Sequence, residues 1–180
     1  MERTLTFGEK NLLASIFGAM LPYGEIRVRI NSAEIGGENN SITPEGHPYF
    51  SPHHAKSDFS SATLDEQWIF FHEMTHSWQY FHNIRPLANA IGLFIASMGN
   101  YQGTYKYDLA GKTRFGDFNI EQQASLVADY FSLSKGGAVR DNASRTPKLT
   151  DYDLVIRDFR ASGRPTVWHA QNGRWVRTGG

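Results

Sequence analysis

The sequence contains no cysteine. That excludes disulfide scaffolds, thiolate metal sites and cysteine nucleophiles, and leaves His, Asp and Glu as the side chains able to grip a metal. A chain without thiols is also indifferent to the redox state of its compartment, so cytosol and periplasm are equally open to it. Excess charge of one sign is missing too: 18 Lys+Arg stand against 18 Asp+Glu. Nothing electrostatic favours nucleic acid or an anionic membrane surface, and no nucleic-acid partner is expected. Long apolar runs are absent. The best, near residues 87–98, is interrupted by Asn89, Gly92 and Ser97 and is too short to span a bilayer, so membrane insertion is not expected. The opening Met1-Glu2-Arg3-Thr4 carries mixed charge and lacks a signal-peptide pattern. Internal repeats and low-complexity tracts are also lacking.

What is present suits one globular domain over residues 1–180: 180 residues, of which 40% are hydrophobic. Thr6-Phe7-Gly8-Glu9 has capping-box spacing, and Leu12, Leu13, Ile16 and Phe17 follow at helical intervals. In Glu25–Ile30 the apolar Ile26, Val28 and Ile30 alternate with charged residues, which predicts a half-buried strand. Residues 31–40 read as a loop, Thr43-Pro44-Glu45-Gly46 as a turn, and His47-Pro48-Tyr49-Phe50 as a short edge strand. Thr63-Leu64-Asp65-Glu66 is a second capping box, opening a helix to about His82.

Pro86 fits the first turn of a further helix reaching Met98. The Gly- and Tyr-rich stretch 99–116 reads as irregular, and Asn119 with Gln122 caps the next helix, which stops at Lys135-Gly136-Gly137. A last helix starts near Thr150, and Asn172-Gly173 centres a terminal hairpin. The expected class is α+β, mostly helical with a small antiparallel or mixed sheet.

The second of these helices carries chemistry. Phe71-His72-Glu73-Met74-Thr75-His76-Ser77-Trp78 contains His-Glu-x-x-His. Residues i and i+4 lie about 40° apart around a helix, one turn above each other, so two imidazoles can converge on one ion. Glu73, displaced by about 100° from His72, is placed to act on water rather than to ligate. A bound zinc lowers the pKa of water towards about 7, and a neighbouring carboxylate can then take its proton as it attacks a carbonyl. The motif's flanks, Phe70, Phe71, Met74, Thr75, Ser77 and Trp78, are uncharged, so this helix can be buried with its histidines inward. The bland alternative is a buried helix whose histidines only hydrogen-bond. It leaves a carboxylate on an otherwise apolar face, at a cost of several kcal/mol if unpaired.

A catalytic zinc site keeps three protein ligands and one open position, so one more ligand is required. His82 completes the spacing of the metzincin pattern, with Met98 downstream in place of a Met-turn. That pattern needs glycine where Gln79 stands, and in a continued helix His82 points about 120° away from His76. Glu121, on the helix opened by Asn119, is the other candidate. Its bland reading is a first-turn glutamate favoured by the helix dipole.

Taken together, His72-Glu73-Met74-Thr75-His76-Ser77-Trp78-Gln79, Phe118-Asn119-Ile120-Glu121-Gln122-Gln123-Ala124 and Asp129-Tyr130-Phe131 resemble a known group. It comprises the zincin-like, gluzincin-type metallopeptidase domains found with, or fused to, VgrG-type spike proteins of bacterial type VI secretion. Leu5-Thr6-Phe7-Gly8-Glu9 and Thr43-Pro44-Glu45-Gly46 share the likeness, which covers roughly residues 4–133; residues 140–180 show none.

The resemblance implies a small zincin-like fold, one Zn2+ on His72, His76 and Glu121, and Glu73 as general base. It implies an antibacterial effector with a peptide or protein substrate, the peptide of the cell wall included. A spike protein and a cognate immunity protein would be its partners, and the target cell's periplasm its place of action. The alternatives are a cytoplasmic housekeeping zinc peptidase and a non-catalytic adaptor domain of the spike. An intact Glu73 argues against the adaptor, which has no need of a base.

Gluzincins often carry a carboxylate four residues after the ligand glutamate, orienting a zinc histidine; here that position is Ser125, and Asp129 is the candidate for such support. A donor for the developing oxyanion is also needed. Tyr101, Tyr105, Tyr107, Arg114 and His169 are candidates, with a tyrosine ahead of Glu121 preferred. His47, His53 and His54 read as loop residues.

Overall fold

A computed structural model describes residues 1–30, 41–84, 104–144 and 146–162, together with the backbone of two strands, 167–171 and 174–178. The elements are β1 (Glu2–Thr4), α1 (Phe7–Phe17), β2 (Arg27–Ile30), β3 (Tyr49–Phe50), α2 (Leu64–Phe81), α3 (Ile120–Ser134), α4 (Asp153–Ala161), β4 (Val167–Gln171) and β5 (Arg174–Thr178). The fold is α+β with a small mixed sheet, as the pattern of the sequence predicts. The helix expected from Pro86 to Met98 lies outside the described residues.

The sheet runs β1-β2-β3. β1 pairs antiparallel to β2 with Arg3 opposite Val28, and β3 pairs parallel to β2 with Arg29 opposite Tyr49. β3 is an edge strand of this sheet, as expected, with a single antiparallel bridge from Ile42 to Tyr49 on its outer side. The alternation holds for Ile26, just ahead of β2, and for Val28 within it, both of which are buried. Ile30, at the end of the strand, is exposed, against the expectation.

The local signals at helix starts act as expected. Thr6, Thr63 and Asn119 each accept from the first turn, while Glu9, Glu66 and Gln122 bond back to the cap's main chain. Such boxes satisfy N–H groups that a helix cannot pair internally. Glu9 does more. Fully buried, its carboxylate takes both ends of the Arg3 guanidinium (2.8 and 2.7 Å) and the main-chain N–H of Thr6 (2.9 Å) and Phe59 (3.0 Å). These bonds offset the cost of burying its charge and pin β1, α1 and the 3-10 turn Phe59–Ser61 together.

The core is aromatic. Phe59 stacks on Phe70 of α2 at 4.5 Å, and Phe71, the next residue, stacks on Phe131 of α3 at 3.8 Å. Helix α2 is thus buried between the sheet side and α3, leaving no exposed residue from Gln67 to Gln79. The segment beyond the reach of the family resemblance is part of this core. Tyr152, Val155, Ile156 and Phe159 are buried, and Phe159 meets Trp78 edge-on at 4.9 Å. β4 and β5 pair antiparallel, with Gln171 opposite Arg174, in keeping with the expected terminal hairpin; the turn expected at Asn172-Gly173 lies outside the described residues.

Two tethers hold the surroundings of α2 in place. Pro44–Gly46 is a 3-10 turn that packs on α2, with Gly46 at φ +75°. A Cβ there would meet Tyr80 at 2.6 Å and Phe81 at 2.9 Å, so only glycine fits both conformation and space. Asp129, buried in α3, accepts hydrogen bonds from Trp68 Nε1 (2.7 Å), the Tyr107 hydroxyl (2.9 Å) and the main-chain N–H of Arg140, Asp141 and Asn142 (2.7, 3.0 and 3.1 Å).

Candidate metal centre

His72 and His76 project from one face of α2, their rings 4.9 Å apart. The Asn119 cap fixes where α3 begins. Its Oδ1 accepts from the N–H of Glu121 (3.0 Å) and of Gln122 (2.9 Å), which sets Glu121 in the first turn, against α2. Three atoms converge. His72 Nε2 and His76 Nε2 are 3.3 Å apart, and Glu121 Oε2 lies 3.4 Å from the first and 3.2 Å from the second. Two donors about 2.0–2.1 Å from one ion, at a tetrahedral angle, stand about 3.3 Å apart. The triangle therefore has the edge length of one face of a zinc tetrahedron, and two imidazoles with one carboxylate are a donor set that zinc accepts. All three residues are buried, and among the described residues they form the one cluster able to hold a metal.

The charges agree with the geometry. Burial by itself disfavours a charged His76. The Glu121 carboxylate outweighs it, with help from Glu73, and raises the pKa of His76 to about 9. Burial likewise opposes a charged Glu121, yet His76 and His72 hold its pKa far below the usual carboxylate range. Without a metal, then, a proton on His76 and a negative Glu121 form a buried ion pair.

Glu73 sits beside this triangle without joining it. Its Oε2 accepts a 2.6 Å hydrogen bond from the Thr43 hydroxyl, which also lies 3.3 Å from the Glu73 carbonyl oxygen. Thr43 belongs to the turn held against α2 by Gly46; the sequence marks the turn and its family likeness, but not the contact of Thr43 with Glu73. His72 is supported by stacking. Trp68 lies against its ring at 5.3 Å and Tyr105 at 5.7 Å, while its Nδ1 has no hydrogen-bond partner among the described residues. Asp129 reaches this histidine only through Trp68, whose indole it anchors. Ser125 does not reach it either; its hydroxyl donates to Asp141 at 2.9 Å.

The other candidates fall away from the triangle. His82 caps the C-terminus of α2, with Nδ1 2.8 Å from the Trp78 carbonyl, and is absent from the ligand cluster. The Tyr107 hydroxyl is committed to Asp129 and to Tyr152 (2.8 Å), and burial pushes its pKa far upward. Arg114 is exposed beside Asp117. Tyr105 remains next to His72. Tyr101 and the side chain of His169 lie outside the described residues. His47 Nδ1 accepts from the Arg27 N–H at 3.4 Å, away from the triangle, and neither His53 nor His54 joins the cluster.

The molecule is thus a small α+β domain with a buried two-histidine, one-glutamate donor cluster between two packed helices. No protein-family model matches the chain. A curated relative, the type VI secretion system spike protein VgrG2b of Pseudomonas aeruginosa, is 34% identical over 132 residues; these cover 72% of this chain but only 13% of that protein. The solved effector domain of Pseudomonas aeruginosa VgrG2b is similar with a TM-score of 0.65 and 33% identity, over 74% of this chain and 75% of that one. The chain belongs to the family of the VgrG2b effector domain.

Proposed function

We propose that this domain is a zinc-dependent metallopeptidase, carried by a type VI secretion spike as an antibacterial effector. The observation that carries the enzymatic part is the donor triangle of His72, His76 and Glu121, with edges of 3.2–3.4 Å. His72 and His76 offer Nε2, and Glu121 offers Oε2. A zinc ion held there supplies Lewis acidity, acidifying water and polarising a carbonyl.

The rest of the work falls to the chain. Glu73, oriented by Thr43, takes the proton from an attacking water and returns it to the leaving amine. Burial of the cluster strengthens each of these electrostatic contacts. Tyr105, beside His72, is the best-placed described group to donate to a developing oxyanion.

Kinship with the VgrG2b effector domain supports the effector part of the reading. Association with a spike, neutralisation by an immunity protein, a peptide or protein substrate and action in the target periplasm belong to the same proposal, as does the extension of one domain over residues 1–180. A pure adaptor would have no use for the hydrogen-bonded carboxylate of Glu73, and the adaptor reading is set aside on that ground.

The test is Glu73→Ala. The variant should keep about one zinc per chain and lose peptidase activity, together with toxicity when the domain is sent to the periplasm. Undiminished toxicity in that variant would rule out the hydrolase. Toxicity confined to the cytoplasm would instead rule out the periplasmic site of action.

A further inference from the structure

Gln79 lies one turn beyond His76 on α2 and is fully buried. Its amide is fixed in orientation by groups that can act in one way only. Two main-chain carbonyls, of Phe115 and Phe118, can only accept, and they take the Gln123 Nε2 at 3.2 and 3.0 Å. Gln123 therefore turns its Oε1 towards Gln79, whose Nε2 donates to it at 2.9 Å. The same Nε2 donates at 2.8 Å to the carbonyl of Ile120, the residue preceding Glu121. With its nitrogen committed twice, Gln79 turns its Oε1 to His76 Nδ1, 2.8 Å away. An amide oxygen only accepts, so Nδ1 keeps its proton, and the proton shared with Glu121 at Nε2 is the one that a metal displaces, leaving the Nε2 lone pair to ligate.

We propose that Gln79 is the positioning residue of the metal site: one amide holds His76 in its ligating tautomer and ties it to the helix that carries Glu121. The proposal rests on the reading of the triangle as a metal site and adds to it. It also accounts for a departure from the gluzincin pattern. The carboxylate that often orients a zinc histidine is replaced by Ser125, which is turned to Asp141. The task falls instead to a residue of α2 itself, at i+3 from the histidine it holds. Being neutral, the amide fixes the tautomer without adding negative charge behind the ligand.

Two substitutions separate positioning from mere packing. Gln79→Glu keeps an acceptor against Nδ1 but loses the donors to Ile120 and Gln123. Gln79→Leu loses both. Either variant lowers the melting temperature of the zinc-free protein, because the Ile120 carbonyl and Gln123 Oε1 lose a donor. Zinc affinity, by competition with a chelator, should stay within a few-fold of wild type in Gln79→Glu and fall by about ten- to a hundredfold in Gln79→Leu.

In the zinc-loaded protein, the His76 Nδ1 proton should give a solvent-protected NMR signal in wild type and Gln79→Glu, broadened by exchange in Gln79→Leu. Equal affinities in the two variants, or losses that simply follow melting temperature, would overturn the positioning role while leaving the metal site standing. A wild-type protein that binds no zinc would overturn the metal reading, and this proposal with it.

Discussion

The Thr43 hydroxyl donates a 2.6 Å hydrogen bond to the carboxylate of Glu73, thirty residues further along the chain. The two meet because the turn bearing Thr43 lies on α2 where Gly46 lets it approach. A hydrogen bond to a charged acceptor contributes about 1.5–3 kcal/mol. Thr43→Val should therefore lower kcat for peptide hydrolysis by about ten- to a hundredfold while KM and zinc content hold steady, and Thr43→Ser should recover most of the loss. Steady-state kinetics on the three proteins decide it; wild-type kcat in the valine variant would show that Glu73 needs no such partner.

Removal of single ligands should sort the histidines. His72→Ala, His76→Ala and Glu121→Ala each take away one corner of the triangle and should strip zinc from the purified protein. His82→Ala should leave zinc content unchanged, since that imidazole is turned to the Trp78 carbonyl. Metal analysis of the four variants checks this, and loss of zinc in His82→Ala with Glu121→Ala intact would move the third ligand to His82.

Acidity gives an independent reading of the same pair. The pKa of His76 is raised in the folded chain from 6.5 to about 9. Its contribution to stability is therefore fully present below pH 6.5 and is lost as pH rises through 9. Glu121 is shifted the other way, so its share is present above 4.5 and is lost only as pH falls through its depressed folded value. Chelated protein should unfold at progressively lower urea as pH goes from 6.5 to 9. Zinc-loaded protein should not, because the metal requires the neutral imidazole. Calorimetry in buffers of different ionisation enthalpy should show about one proton released per zinc at pH 7 and less at pH 9.

Asp129 predicts a large stability effect away from the chemistry. Asp129→Ala leaves the Trp68 indole, the Tyr107 hydroxyl and three main-chain N–H groups without their acceptor. A loss of about 3–5 kcal/mol is expected from urea unfolding. Zinc affinity should fall as well, because the released Trp68 no longer braces His72. A change below about 1 kcal/mol would mean that the 140–142 segment is held by other contacts.

Sequence reading reaches furthest where structure is local. The capping boxes at Thr6, Thr63 and Asn119 are each completed within four residues, and the strand alternation around Val28 needs only its own neighbours. That Glu121 falls in the first turn of its helix is legible, because a cap fixes where a helix starts; that this turn meets His72 and His76 is implied only by the family resemblance, since spacing leaves it open. Contacts between distant segments are not legible. β1 is three residues long, without alternation of its own, and exists only because β2 pairs with it. Thr43 reaches Glu73 across thirty residues, and the acceptor role of Asp129 depends on main-chain amides that carry no sequence signal. Gln79 does leave a trace, as a polar residue on a buried apolar helix at i+3 from a ligand histidine. The glycine it replaces in the metzincin pattern points to what Gln79 is not, rather than to what its amide can hold.

The ligand triangle also joins parts of the chain that the backbone connects only by a long route. His76 and Glu121 bracket everything between α2 and α3, so a metal held by both would close that stretch into a loop. Cross-links of this kind stabilise by denying the unfolded chain its freedom, and the longer the enclosed segment the larger the effect. In a protein without a single thiol, one ion would serve as its staple. The mature fold and the reactive centre would then be assembled in one event, and a chelator would dissolve both together.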